Sequence, residues 1–250
     1  MGLLVLGGVV LLALAVYLWW NRSALYVASA TRAFGRGDEG RTLALFAKAE
    51  AAGRLSVDAT VSYAYLALKH GLVETAEELL VRALDHGRRG RALNERQRRL
   101  VETYRALVLW KRGRLDDAVA LLEGLLDQGY RTTAVYGNLG YFLTLQKRWD
   151  RAEEVCREAE SWDPDGKVIL DNLGGLLLAQ ERWVEAAEVY DRLLALDPSF
   201  PEAWAGAGWA AFRTGHPAEA RRRWTRALEL PFHSLTTATK EDLETALAMV

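Results

Sequence analysis

Residues 167–200, KVILDNLGGLLLAQERWVEAAEVYDRLLALDPSF, hold two helical patterns with a break between them. In the first half Leu170, Leu173, Gly174 and Leu177 share one face at 3.6 residues per turn, so this face is expected to be buried. Pro198 then marks the end of the stretch, because the residue before a proline disfavours the helical conformation. The stretch therefore predicts a pair of helices of 34 residues in total.

The same pattern recurs along the chain. The repeated units begin at Ser23, Val57, Arg99, Thr133, Lys167 and Pro201, at a 34-residue step that lengthens to 42 residues between the second and third units. The eighth residue of each unit is small: Ala30, Ala64, Ala106, Gly140, Gly174 and Gly208. The twentieth is Thr42, Ala76, Ala118, Ala152, Ala186 or Ala220, and the twenty-fourth is Phe46, Leu80, Leu122, Cys156, Tyr190 or Trp224. Two helices that cross closely need small side chains at the crossing and large ones around it, which explains these columns.

A break separates the two helices of each unit. It is marked by Gly37, Gly71, Gly113 and Gly215, with Lys147 and Glu181 in the fourth and fifth units. Glycine is typical of the position that follows a helix, where the backbone turns to positive φ.

These columns resemble the tetratricopeptide repeat. The resemblance is clearest in Asn138-Leu139-Gly140 with Trp149, Ala152 and Pro164, in Asn172-Leu173-Gly174 with Trp183, Ala186, Tyr190 and Pro198, and from Trp204 to Ala227. It covers roughly Ser23 to Phe232 and implies an α-solenoid of about six units, since one unit alone cannot bury its apolar face. The first three units depart from the family pattern, with Ser29, Tyr63 and Arg105 where Leu is usual.

The composition agrees with an all-α chain. It argues against a protein whose whole surface is built to bind nucleic acid. The 250 residues are half hydrophobic and carry a formal charge of -1, whereas a surface built for nucleic acid normally needs a marked basic excess. Cys156 is the only cysteine, which excludes an intrachain disulfide and a multi-cysteine metal site.

The first twenty residues predict a membrane anchor. Residues 2–20, GLLVLGGVVLLALAVYLWW, carry no charge and as a helix could cross about 30 Å of hydrocarbon. The alternatives are a signal peptide cleaved after Ala28-Ser29-Ala30 and a buried core helix. The apolar run is long for a signal peptide and no basic residue precedes it, and a core helix would show a polar face. We therefore expect residues 1–22 to form a single-pass anchor.

The charges next to this segment predict its orientation. Arg22, Arg32, Arg36 and Arg41 follow it and nothing basic precedes it, so the positive-inside tendency places the repeats in the cytoplasm.

The resemblance also implies where a partner binds. In tetratricopeptide proteins the second, fifth, ninth, twelfth and thirteenth residues of each first helix line a groove that takes peptides or partner domains. In this chain that stripe holds aromatic and cationic side chains: Tyr65, Lys69, Trp110, Lys111, Tyr141, Trp209, Phe212 and Arg213. Such a surface suits a peptide with apolar and acidic residues. The alternative is that several of these rings pack between adjacent units.

A carboxylate clamp of the kind found in some relatives is not expected. Asn138 and Asn172 match one clamp position, but the companion positions hold Thr103, Leu107, Gly137 and Tyr141. We expect the two asparagines to bond neighbouring backbone instead.

A basic cluster accompanies the longer step between the second and third units. It comprises Arg88, Arg89, Arg91, Arg96, Arg98 and Arg99, with Glu95 as the only acidic neighbour in residues 86–99. The alternative function is therefore a module that binds a membrane surface or RNA through this cluster, although most charge runs are solvated faces. Asn94 with Gln97 resembles a capping box, so the next helix is expected to begin before Arg99.

Catalysis and cofactor binding are not predicted. The four histidines make no metal-spaced pair, Cys156 lies in a buried column, and Asp163-Pro-Asp-Gly166 lacks the glutamate that would complete a calcium loop, since Gly174 holds that place. The sequence thus predicts an anchor over residues 1–22, repeats over 23–232 and a capping helix over 233–250. Its predicted function is a membrane-anchored scaffold of the kind that acts in envelope assembly, which binds a protein or peptide.

Overall fold

The computed structural model describes residues 12–53, 55–86 and 93–250, and all regular structure in these ranges is helical. The helices, numbered here α1 to α13, are Arg22–Phe34, Glu39–Ala52, Val57–Lys69, Val73–His86, Glu95–Lys111, Leu115–Asp127, Thr133–Leu145, Trp149–Trp162, Lys167–Ala179, Trp183–Ala195, Pro201–Arg213, Pro217–Leu228 and Lys240–Leu247. The prediction of an all-α fold is confirmed.

Side-chain caps begin several of these helices at the repeat boundaries. Ser56 accepts a hydrogen bond from the Ala59 N–H at 3.2 Å, and Thr132 does the same for Val135. The capping box before α5 is present as predicted: the Gln97 N–H donates to Asn94 Oδ1 at 2.8 Å and the Asn94 N–H to Gln97 Oε1 at 3.4 Å. Helix α5 therefore begins at Glu95, four residues before the repeat step places it.

The turn between the two helices of a unit adopts positive φ at one residue. Four units use glycine there, with φ of 75° at Gly37 and Gly113, 76° at Gly71 and 85° at Gly215. The other two hold Lys147 at 57° and Glu181 at 61°, a left-handed conformation that residues other than glycine rarely adopt. The residue after each turn closes it, as when the Arg148 N–H donates to the Leu143 carbonyl at 3.0 Å.

The chain divides into two compact parts, which we call the N-terminal part (residues 1–101) and the C-terminal part (residues 102–250). In the N-terminal part, α1 packs on α2 and α3 on α4. Tyr63, which departs from the family pattern, is buried and stacks on Phe46 with ring centroids 5.6 Å apart. Thr42 is also fully buried, and its hydroxyl donates to the Asp38 carbonyl at 2.7 Å, so no polar atom of this side chain lacks a partner.

In the C-terminal part, the small residue in the eighth position of a repeat fits against the large residue in the twenty-fourth position, as the sequence predicts. A Cβ on Gly174 would lie 2.7 Å from the Tyr190 ring, and one on Gly140 would lie 2.9 Å from Cys156 Sγ. In this part of the chain α7, α9 and α11, each the first helix of its repeat, pack side by side. Each of them also packs on the second helix of the same repeat.

The described part of the predicted anchor is helical and exposed. Residues 12–20 form a helix whose large apolar side chains face outward, among them Trp19 at 61% and Trp20 at 76% exposure. Within residues 12–53, 55–86 and 93–250, no helix combines the length and the apolar character that crossing a membrane requires. Residues 2–11 of the predicted anchor lie outside the described ranges.

The capping helix is shorter than predicted. Helix α13 begins at Lys240, where Thr239 caps it by accepting from the Asp242 N–H at 3.0 Å, so residues 233–239 are not part of it. The physical reason is local hydrogen bonding: the Thr236 N–H donates to the His233 carbonyl at 2.9 Å and Thr236 Oγ1 accepts from the His233 N–H at 3.0 Å. These bonds form a tight turn that competes with helix.

Candidate functional site

The stripe predicted to line a groove runs across the first helices of four repeats in the C-terminal part of the chain. We call its residues on α5, α7, α9 and α11 the groove face, defined by Trp110, Lys111, Tyr141, Asp171, Gly175, Glu202 and Trp209. Their side chains, where they have one, are half-buried. The packing of α7 against α9 and of α9 against α11 holds these positions on one surface.

The N-terminal end of the groove face is an aromatic contact between α5 and α7. Trp110 meets Tyr141 edge-on at 5.6 Å between centroids and contacts Phe142 at 5.5 Å. Lys111 Nζ lies 4.2 Å from the centroid of the Trp110 ring, a cation–π geometry. Burial lowers the pKa of the Lys111 ammonium. The ring pair thus serves packing between adjacent units, the alternative that the sequence left open.

The C-terminal end of the groove face packs in the same way. Trp209 and Phe212 contact the buried Trp224, with centroids 4.9 and 5.8 Å away. The Arg213 guanidinium lies 4.9 Å from the centroid of the Trp183 ring. These three predicted groove residues therefore make contacts within the repeats themselves.

A segment of the chain itself lies on the groove face. Residues 230–239, which we call the groove segment, connect α12 to α13 and contain the His233–Thr236 turn. Lys111 Nζ donates to the Ser234 carbonyl, and the Thr237 N–H donates to Glu202 Oε1 at 3.0 Å. The groove segment therefore spans the face from α5 to α11.

Asp171 and Glu202 are two carboxyl groups of the groove face. Neither has a cationic partner among the described residues. Burial raises the pKa of Asp171 well above 3.8, and the nearby Glu202 carboxylate raises it further. Burial also raises the pKa of Glu202, although the Thr237 N–H opposes this by favouring the ionised form. The pKa of Tyr141 is raised by burial and by Glu202.

These two acids were not among the predicted site residues. Asp171 is the fifth and Glu202 the second residue of its unit, both groove positions, so the stripe rule could have found them. The predicted groove residues were aromatic or cationic, so the two acids were left out. Lys111 is engaged with Trp110 and Ser234, so the two carboxyl groups add hydrogen-bond acceptors to a face for which aromatic and cationic side chains were predicted.

The remaining predicted groove residues, Tyr65 and Lys69, lie in the N-terminal part of the chain. Lys69 forms an ion pair with Glu39, and His70 Nε2 lies 3.5 Å from the same carboxylate. Tyr65 is half-buried on α3. The charge of Lys69 is thus paired with an acidic side chain of the N-terminal part.

The predicted basic cluster is described only in part. Arg88, Arg89 and Arg91 lie outside the described residues. Arg96 and Arg98 are exposed on α5, whereas Arg99 pairs with Glu95 one turn away. The interpretation of this cluster as a lipid or RNA surface stays a prediction.

The side chain of Asn172 bonds backbone, as predicted. Its Nδ2 donates to the Gly137 carbonyl at 2.8 Å and so joins α9 to α7. Cys156 is buried and its pKa is raised to about 12 by burial, so the thiol is protonated near neutral pH. Residues 12–53, 55–86 and 93–250 contain no group of three His, Cys, Asp or Glu that could hold a metal ion.

Comparisons with known proteins identify the repeats. Family models of the tetratricopeptide repeat match residues 105–166 and 177–229. No curated protein matches the chain in sequence.

Solved structures share the fold at low sequence identity. A tetratricopeptide repeat protein from Parabacteroides merdae superposes with a TM-score of 0.71 and 12% identity, over 92% of this chain and 84% of that one. PilW, a widely conserved type IV pilus biogenesis factor, gives 0.64 and 15%, over 90% and 98%. A thermophilic tetratricopeptide protein from Thermus thermophilus gives 0.61 and 18%, over 78% and 98%.

At these identities the structural likeness concerns the fold alone. Tetratricopeptide repeats form a family of protein-interaction scaffolds, and the family matches fall on α5 to α8 and on α10 to α12. Residues 105–166 and 177–229 are therefore tetratricopeptide repeats, in a chain whose fold is all-α and of the tetratricopeptide type.

Proposed function

We propose that this chain is a membrane-anchored adaptor that binds a partner protein or peptide along the groove face. The observation that carries the proposal is that this face already holds a peptide segment, the chain's own residues 230–239, through Lys111 and Glu202. Both anchors bond main-chain atoms, which every peptide offers. A binding surface that reads backbone suits a scaffold with an extended or turn-forming ligand.

The charge of the groove face indicates what the partner supplies. Asp171 and Glu202 are half-buried carboxyl groups whose pKa is raised because burial disfavours their charge. A hydrogen-bond donor or a cation from the partner would relieve that penalty. We therefore propose a partner segment that directs N–H groups or a Lys or Arg side chain at these two acids and a carbonyl at Lys111.

The proposed anchor comprises residues 2–20. Its support is the uncharged sequence and the exposure of the helical residues 12–20, where Leu12 is 68% exposed and Trp20 76%. Contiguous exposed apolar side chains mark a surface that lipid or another protein covers. An anchored adaptor with this fold suits assembly of a bacterial cell envelope, with the repeats on the cytoplasmic side.

A groove-filling substitution tests the binding proposal. Gly175 lies on the groove face, and a Cβ there would find only Tyr190 Oη, 3.8 Å away, so a larger side chain begins without a clash. We expect Gly175→Phe to abolish recovery of partners from detergent-solubilised membranes. Gly124→Phe is the matched control, because Gly124 lies on the second helix α6 with nothing within 4 Å of a Cβ. Equal recovery with both variants contradicts the assignment.

The anchor is tested separately by fractionation. Replacing Leu14 and Leu18 by Glu should move the chain from the membrane pellet to the supernatant after alkaline carbonate extraction. Protease protection of a C-terminal tag in intact cells would then report which side of the membrane the repeats occupy. Retention of the double variant in the pellet contradicts the anchor.

A further inference from the structure

The groove segment occupies the surface that the proposed function assigns to a partner. We propose that it is a built-in ligand of the groove face, which holds the site closed until a partner peptide displaces it. The proposal rests on the proposed function for the identity of the competitor, but the occupancy itself can be measured without any partner.

The contacts of the groove segment are those of a bound peptide. Ser234 presents its carbonyl to Lys111, and Thr237 presents its N–H to Glu202 at 3.0 Å. The two partners come from α5 and α11, the first and last of the four first helices that carry the groove face. Phe232 adds an aromatic anchor, since it packs, as Trp209 does, against the core cluster that contains Trp224.

The groove segment carries turn contacts of its own, independent of Lys111 and Glu202. The His233–Thr236 turn has its own backbone bond, and the Leu235 N–H donates to His233 Nδ1 at 3.2 Å. A preformed turn loses little conformational freedom on docking. A free peptide would need to supply the same pattern, an aromatic residue followed by a turn, to compete on equal terms.

The C-terminal end of the groove segment is held by packing that does not involve Lys111 or Glu202. Helix α13 packs on α12, and its buried Leu243 and Ala246 belong to the same cluster as Trp224. Release therefore requires no unfolding of the capping helix. The tether raises the effective concentration of the groove segment to about the millimolar range, which a partner must overcome.

The energetic consequence follows from population arithmetic. The apparent dissociation constant of a competitor equals its intrinsic value divided by the fraction of molecules with an open groove face. If the groove segment is docked in about nine molecules of ten, loosening it should tighten competitor binding about tenfold, which corresponds to about 1.4 kcal/mol.

The test uses the full chain in detergent and a defined probe. The probe is a fluorescent peptide with the sequence of residues 230–239, LPFHSLTTAT. The loosened variant carries His233→Gly and Thr236→Gly, which remove the side-chain bonds of the turn and leave the groove face intact. Ser199→Gly, an exposed position in the connection between α10 and α11, is the matched control. We expect the loosened variant to bind the probe about tenfold more tightly than the wild type, and the control to bind as the wild type does.

Three further measurements protect the test against misfolding of the variant. Thr237→Pro removes the N–H that donates to Glu202 and should also tighten probe binding, and Gly175→Phe added to either variant should abolish it. In the wild-type chain, hydrogen exchange at the Thr237 amide should be slow, and it should accelerate in Glu202→Ala, which lacks the side-chain acceptor of that N–H.

The outcomes separate this proposal from the proposed function. A rapidly exchanging Thr237 amide in the wild type, or equal probe affinity for wild-type and loosened chains that melt alike, overturns the self-occupied groove. Loss of partner recovery in Gly175→Phe would stand even then. Conversely, tighter probe binding with partner recovery unaffected by Gly175→Phe would support the occupancy and reject the groove face as the partner site.

Discussion

The indole of Trp224 fills the space beside Gly208, so that a Cβ on Gly208 would lie 2.3 Å from Nε1 and 2.4 Å from Cδ1. The ring is fully buried, and its Nε1 donates to the Ala205 carbonyl at 3.2 Å. It therefore has no room to move away. Helices α11 and α12 can approach this closely only because the crossing residue is glycine.

Gly208→Ala should destabilise the fold. Overpacking a close-packed core commonly costs about 1–3 kcal/mol, and the rigidity of the Trp224 ring places this site within that range. Gly124→Ala is the control, because a Cβ there meets nothing within 4 Å and alanine is the better helix former by about 1 kcal/mol. Urea unfolding should thus shift in opposite directions for the two variants, and a loss of stability for both would reject the packing explanation.

Glu181→Gly should stabilise the turn between α9 and α10. Glu181 is exposed and has a φ of 61°, a conformation that disfavours residues with a side chain by about 1–2 kcal/mol. Glycine loses more entropy on folding, so the expected gain is at most about 1 kcal/mol. Gly113→Ala, at a φ of 75°, should lose a similar amount. Thermal midpoints of the two variants provide the measurement, and a destabilised Glu181→Gly would contradict the prediction.

Asp171→Asn should stabilise the chain at neutral pH and have little effect in acid. Because the pKa of Asp171 in the folded chain is raised above 3.8, the folded state holds a proton that the unfolded state releases. The contribution of this group is therefore complete below pH 3.8 and is lost as pH rises through the folded pKa. Unfolding free energies of both chains across this range test the sign. A constant difference would show that the effect of the substitution is not due to the charge.

Cys156 should resist thiol reagents in the folded chain. A pKa of about 12 leaves about one thiol in ten thousand ionised at about pH 8, and the side chain is 3% exposed. Iodoacetamide should label it only under unfolding conditions, whereas a cysteine introduced at the exposed Lys48 should react at once. Rapid labelling of Cys156 in the native chain would indicate that α7 and α8 separate readily.

Much of the repeat architecture could be predicted from local patterns. The small residue in the eighth position and the large one in the twenty-fourth lie sixteen residues apart, within one pair of helices, so their fit is written into each unit. The same holds for Lys147 and Glu181, whose place in the repeat predicts a turn even without glycine. Helices α7, α9 and α11 accordingly begin at Thr133, Lys167 and Pro201, the residues at which the repeats begin.

The state of the groove face could not be predicted in this way. Its stripe follows from helical spacing, but Lys111 is joined to Ser234 across 123 residues, and Thr237 to Glu202 across 35. Periodicity says nothing about such contacts, because they depend on where the segment after α12 runs once the repeats have stacked. Sequence alone thus determined the repeats and the stripe. Only the tertiary structure decided that the lysine is occupied, that the acids have no cationic partner among the described residues, and that the chain itself covers the groove face.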